Sequence, residues 1–302
     1  EALPSQLWCR QNFFSLSLGQ ALSSGWEQFV EKVKYETRFL FTLAEPSRPA
    51  TSSATSVESG PARLESSEED RSSRQDLLPV PSGDPDFDID YDRQEGIPVS
   101  RMLDAIGQLV YRLKLLRTCT AGTTIFRVRV VDHGKVLKGP EDFGPPSRDK
   151  ATQPNRMSPA GIVMFYGALD RETALIETFQ PDRNGADQKS VWIARFQTVK
   201  ELSLLDLTDL PSIPSIFDVG RRDLINGIGF LHQFVDDLIQ SVERDGHEHI
   251  DYVPTQIATE YFRHGFRTAD NDRLEGILYR SSKRENGCAC VLFIDGHNCG
   301  VP

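Results

Sequence analysis

About fifty consecutive residues, from Glu45 to about Gly96, are dense in Ser, Pro, Asp, Glu and Arg and hold almost no aliphatic cluster beyond Leu77-Leu78. Ordering such a stretch costs about 1–2 kcal/mol of backbone entropy per residue, and its side chains bury too little apolar surface to offset that. It reads as a disordered linker or long insertion, so any core must be built from the residues on either side. Its acidic end, 84–92, lacks the central glycine and closing glutamate of a calcium loop and reads as a solvated acidic tract.

Upstream, residues 1–44 read as a small helical region. Over 26–41 the apolar positions Trp26, Phe29, Val30, Val33, Leu40 and Leu43 recur mostly at helical spacing. Downstream of the linker (45–96), a second helix occupies 97–120, with Ser100 as N-cap and one stripe of Val99, Met102, Leu103, Ile106, Leu109, Val110, Leu113 and Leu116. The pattern then turns mixed over 121–302. Strand-like runs lie at 124–131, 161–168, 191–196, 202–207, 276–281 and 290–294, and helical patterns at 171–178, 223–242 and 255–264. The expectation is an α+β domain behind a helical region and a floppy linker.

Several classes of chemistry drop out. A net charge of −10 argues against direct nucleic-acid binding, whose usual footprint is a basic face. No apolar run approaches the roughly 20 residues of a membrane span. Five sparse cysteines make no disulfide framework and suit a reducing, cytoplasmic setting. The chain opens on Glu1 rather than Met and stops after Gly300-Val301-Pro302, so it reads as a piece of a longer protein. Phosphate-binding, dinucleotide-binding, nucleophile-elbow and zinc-protease motifs are all absent. Of the six histidines the first is His133, which leaves the N-terminal helices without a histidine for acid–base work. His247-Glu248-His249 reads as a hydrated loop rather than a metal site, and Cys288 and Cys290 as strand cysteines facing one side.

Four features of the α+β domain remain. In Phe126-Arg127-Val128-Arg129-Val130, alternation puts the apolar residues on one face and both arginines on the other, facing solvent or lining an anion site. Arg156-Met157-Ser158-Pro159-Ala160-Gly161 is a loop leading into a strand that ends near Tyr166. A helix starting near Asp170 carries Glu177, so Tyr166 and Glu177 can converge on one cleft. Tyr279-Arg280-Ser281-Ser282 closes a later strand.

In this order the four features resemble the RES domain family, named for its arginine, glutamate and serine. The match runs from about Thr123 to the end, takes in Tyr252-Val253-Pro254-Thr255-Gln256, and is most specific over 156–177. The N-terminal segments are similar to the helical region of longer members. The resemblance implies a fold like that of ADP-ribosyltransferases, with packed small sheets and flanking helices around an NAD cleft. It implies an enzyme that consumes NAD as substrate, with no true cofactor and no metal, by hydrolysis, phosphorolysis or transfer of ADP-ribose to a protein acceptor. It also implies a bacterial toxin neutralised by a helix-turn-helix antitoxin. Residue by residue it implies Glu177 as the catalytic carboxylate, Arg127 on the diphosphate or ribose, and Tyr166 stacked on nicotinamide. Ser281 either hydrogen-bonds the carboxamide or positions Glu177, and Arg156 is a second anion-binding residue. Of the two strand arginines, the resemblance assigns the NAD contact to Arg127 and leaves Arg129 to solvent or a neighbouring carboxylate.

Overall fold

A computed structural model of the chain describes residues 16–38, 96–179, 189–240 and 247–300. Ser17 sets the start of the first helix. Its Oγ accepts from the Gln20 amide at 3.3 Å, and the Gln20 side chain accepts from the Ser17 amide at 2.9 Å. Helix α1 therefore runs Leu18–Tyr35 and begins ahead of the strongly apolar positions. Its first turns are rich in Ser and Gly, which hides them in the sequence, yet Ala21, Leu22 and Gly25 are buried. The helix stops at Tyr35, short of the expected end at 41, and 36–38 are not helical; 39–41, and the linker reading for all but its last residue, fall outside the described residues.

Helix α2 spans Met102–Arg112 after a tight turn at Val99–Arg101; Ser100 lies inside that turn and makes no cap. The tail of the expected second helix is instead strand β1, Leu116–Cys119, too short for its alternation to stand out. There follow β2 (Thr124–Asp132), α3 (Pro140–Phe143), β3 (Phe165–Ala168), α4 (Arg171–Thr178), β4 (Lys189–Gln197) and β5 (Leu202–Leu207). Helices α5 (Ile225–Ile239), α6 (Glu248–Asp251) and α7 (Val253–Glu260) lead to β6 (Gly276–Arg280) and β7 (Cys288–Leu292).

The chain is α+β. Its strands form one mixed sheet in the order β1-β5-β6-β7-β3-β2-β4. Among the described residues only β5 and β6 pair in parallel, and the helices α5 to α7 between them supply the long crossover that a parallel pair requires. The resemblance implied small sheets packed together. Here the ladders form a single sheet that thins to one residue pair, Phe126↔Ala168, between β2 and β3. That seam divides the long β2–β4 ladder from the other five strands.

One face of the sheet carries the helical layer. Trp26 of α1, Ile106 of α2 and Phe234 of α5 share a core with Leu205, Ile277, Tyr279 and Val291 of the sheet. On the opposite face Ile125, Phe165, Leu204, Leu278, Cys290 and Leu292 make a second, smaller cluster. Helix α4 packs on β2 and β3 through Ala174, Val128 and Ala168. The N-terminal helix is thus part of the main core although about sixty residues separate it from α2. No helix among the described residues is long and apolar enough to cross a membrane.

Trp26 anchors α1. It is 1% exposed, stacks on Phe29 with ring centroids 5.0 Å apart, meets Phe234 edge-on at 5.0 Å, and donates from Nε1 to Asp237 at 2.8 Å. Removing a buried aromatic ring of this size costs about 3–5 kcal/mol. Trp26→Ala should therefore lower the urea midpoint by an amount equivalent to that loss. An unchanged midpoint would mean that α1 is dispensable to the core.

Candidate active site

Helix α4 has eight residues, too few to hold itself together in water, so its position depends on what ties it down. Asp170 caps it, accepting from the Thr173 amide at 2.9 Å and from Thr173 Oγ1 at 2.6 Å. Arg284, in the turn between β6 and β7, donates to Asp170 and Thr173 at 2.9 Å each and to Glu172 at 2.7 Å. Burial alone would raise the Asp170 carboxyl, but the Thr173 hydrogen bonds and the Arg284 charge hold it below the usual carboxylate range. Gly287 in the same turn admits this approach. A Cβ there would stand 2.6 Å from Thr173 Oγ1 and 3.1 Å from the Ser281 Cβ.

At the other end of α4 the same turn meets Glu177. Ser281 Oγ donates to Glu177 Oε1 at 2.5 Å, and it accepts from the backbone amides of Lys283 and Arg284 at 3.1 Å each. A hydroxyl has one proton and two lone pairs; with both amides donating to it, its proton goes to the carboxylate. Lys283 Nζ donates to the Glu177 carbonyl at 2.8 Å and lies 3.9 Å from Oε2.

Tyr166 and Tyr279 share the helical face of the sheet with this pair. The Tyr166 hydroxyl lies 2.9 Å from Ser158 Oγ, and burial pushes it up to about 12 despite that bond and the charges of Arg156 and Arg127. Burial also raises Tyr279, reinforced by Glu177 and Tyr166 and opposed by Arg156. Both tyrosines are neutral across the physiological range. The sequence reading passed over Tyr279 as structural. Its signal was position: two residues before Ser281 on the same strand, hence the same face.

The loop carrying Arg156 is gripped by α7. Thr255 Oγ1 donates to the Arg156 carbonyl at 2.5 Å, and Gln256 Nε2 donates to the Asn155 carbonyl at 2.8 Å and the Ser158 carbonyl at 3.3 Å. This gives Tyr252-Val253-Pro254-Thr255-Gln256 a physical task. The loop closes at Gly161, whose φ of +85° is left-handed and favours glycine. Among the described residues the Arg156 guanidinium has no hydrogen-bond or ion-pair partner, and it lines a cleft of about 360 Å³.

Glu177, Ser281, Tyr166 and Arg156 are therefore brought to one side of the sheet, and Arg127 is not. The pair Phe126↔Ala168 puts the odd residues of β2 on the face away from Tyr166. Arg127 stacks over the Phe165 ring at 4.7 Å, donates to the Tyr166 carbonyl at 3.1 Å, and is 8% exposed. Burial, with the neighbouring Arg129, pulls its guanidinium down to about 10. Arg129 shares that face, is half-buried and donates to the Gly144 carbonyl at 2.7 Å; burial pulls its guanidinium down and the neighbouring Asp142 carboxylate opposes this. In this position Arg127 stitches the seam between β2 and β3 from the face away from Tyr166. The loop expected at 247–249 is instead the start of a short helix, with His247 as its N-cap and His249 inside it. Cys288 and Cys290 lie on β7, and burial pushes their thiols up to about 11 and about 12.

A family model described as the RES domain matches residues 125–301, and one described as HEPN/RES N-terminal domain 1 matches residues 1–47. No curated protein and no solved structure matches the chain.

The closeness of Gly287 to Thr173 yields a test of how α4 is held. Gly287→Ala should cost about 1–3 kcal/mol by overpacking and lower turnover more than it raises KM, because it lifts α4 and Glu177 off the β6–β7 turn. Chemical denaturation and steady-state kinetics measure both. Full stability and full activity would show that the turn does not set the position of α4.

Proposed function

Because the chain belongs to the RES domain family, a family associated with NAD-directed toxin function, we propose that it cleaves the bond between nicotinamide and ribose in NAD, by hydrolysis or phosphorolysis. The observation that carries the proposal is the 2.5 Å bond from Ser281 to Glu177, beside two neutral tyrosines and Arg156, which has no partner among the described residues.

Each group has a task. As the C–N bond breaks, its electron pair goes to the pyridinium ring, which leaves as neutral nicotinamide, and positive charge builds on the sugar. Glu177 lies against that charge and stabilises it, and it takes up the proton of the attacking water or phosphate. Ser281 fixes the carboxylate in orientation. A leaving group that departs neutral needs no acid, which agrees with a cluster lacking histidine. The tyrosines, neutral throughout, cannot serve as bases; Tyr166 offers its ring to the cationic nicotinamide, a contact worth about 0.5–2 kcal/mol. Arg156 takes the diphosphate, and Arg127 acts as a positioning residue through the Tyr166 backbone. An enzyme that drains NAD harms the cell that makes it, so a neutralising partner and a cytoplasmic site of action belong to the same proposal.

Nicotinamide release from NAD is the direct test. Glu177→Ala should lose about 4 kcal/mol of transition-state stabilisation, on the order of a thousandfold in kcat, with its circular dichroism unchanged. More than a tenth of the wild-type rate would remove Glu177 from the chemistry. Free ADP-ribose or its 1-phosphate as product supports cleavage, whereas label appearing on protein would reassign the activity to ADP-ribosyl transfer.

The two arginines should separate cleanly. Arg156→Lys loses the planar fork and should raise KM for NAD about tenfold, roughly 1.4 kcal/mol. Arg127→Lys should lower the melting temperature while KM stays within about threefold. The reverse pattern would put Arg127, not Arg156, on the substrate.

A further inference from the structure

The cleft beside Arg156 is lined by neither Glu177 nor Ser281, and one of its walls is the N-terminal helix. Val30 and Lys34 of α1 face Asp237 at the end of α5 and Asp251 and Tyr252 at the α6–α7 corner, with Arg156 among them. The other charged groups there already have partners: Lys34 bonds Asp251 at 2.8 Å, and Asp237 accepts from Trp26 Nε1 at 2.8 Å. Arg156 alone in this set has no partner among the described residues. A guanidinium on a concave wall, held in place through its own carbonyl by Thr255, is built to meet an anion.

Arg156 also stands at a boundary. Two residues on, Ser158 bonds the Tyr166 hydroxyl at 2.9 Å, so the loop that presents Arg156 to the cleft touches the Glu177 side as well. A dinucleotide has the same layout, two nucleosides joined through a diphosphate. If the reacting nucleoside lies at Glu177 and the diphosphate at Arg156, the second nucleoside extends into the cleft. Its volume of about 360 Å³ is at the small end of the range for ligand pockets, room for one nucleoside but not for a whole dinucleotide. Its lining suits such a group: the Tyr252 ring and the Val30 side chain for a flat base, the Asp237 and Asp251 carboxylates for sugar hydroxyls or an exocyclic amine.

We propose that this cleft holds the second nucleoside of the dinucleotide and that helix α1 is therefore a wall of the substrate site, not a separate module. The proposal rests on the NAD reading above, and the experiment keeps the two apart. Nicotinamide mononucleotide has the same scissile bond but lacks the second nucleoside. Wild type should prefer NAD over it in kcat/KM. Val30→Trp, which fills the cleft from α1, should cut that preference at least tenfold and weaken binding of adenosine diphosphate, measured by calorimetry, at least tenfold. Gln240→Trp fills the cleft from α5 and replaces Val30→Trp if the helix variant does not fold. A folded variant whose preference and adenosine diphosphate affinity both stay within twofold of wild type overturns the proposal. If wild type releases nicotinamide from neither compound, the NAD reading falls, and calorimetry alone decides the cleft. Adenosine diphosphate binding that Val30→Trp weakens tenfold supports a nucleotide subsite, and no binding to wild type overturns it.

Discussion

Everything at the site depends on how one short helix is fastened to one turn. Helix α4 carries Glu177 but is only eight residues long, and the turn after β6 lies more than a hundred residues further along the chain. Arg284 ties the start of α4, while Ser281 and Lys283 tie its end. Hydrogen bonds to charged groups contribute about 1.5–3 kcal/mol each, so several acting together hold the carboxylate in one orientation where a single one would not. Ser281 adds direction, because its lone pairs are taken by two backbone amides and its proton is left for Glu177.

The two faces of the sheet divide the work. On the helical face lie the carboxylate, the neutral tyrosines and Arg156. On the other, Arg127 is buried against Phe165 and bonded to the Tyr166 carbonyl where the ladder between β2 and β3 thins to one pair. A charge that deep is costly unless something accepts its protons, and the carbonyl at the seam does so. The contact lets an arginine behind the sheet govern where a tyrosine in front of it stands.

Helix α1 is joined to this arrangement by Trp26, which packs between Phe29 and Phe234 and bonds Asp237. Its apolar face completes the main core, and its exposed edge forms one wall of the cleft beside Arg156. Packing and binding thus draw on neighbouring turns of one helix, so a change in the seating of α1 alters the shape of the cleft directly.

Much of this was legible locally. Alternation placed β2 and β5 almost to the residue, a helical pattern starting near Asp170 placed α4, and the Arg156–Glu177 and Tyr279–Ser281 stretches carried the family resemblance. These are properties of neighbours along the chain, set by periods of 2.0 and 3.6 residues. Alternation also showed that Arg127 and Arg129 share a face, but it has no means of saying which face. That was decided by the pairing of Phe126 with Ala168, which turns both arginines away from Tyr166. In the same way the partnership of Ser281 with Glu177, the place of Tyr279 beside them, and the place of α1 beside Arg156 follow from strand order and helix packing. The sequence by itself determined which residues the family resemblance singles out and which side of each element they share; the tertiary structure alone decided which of those sides meet, because contacts across a hundred residues are chosen by the burial of whole faces and leave no local period to read.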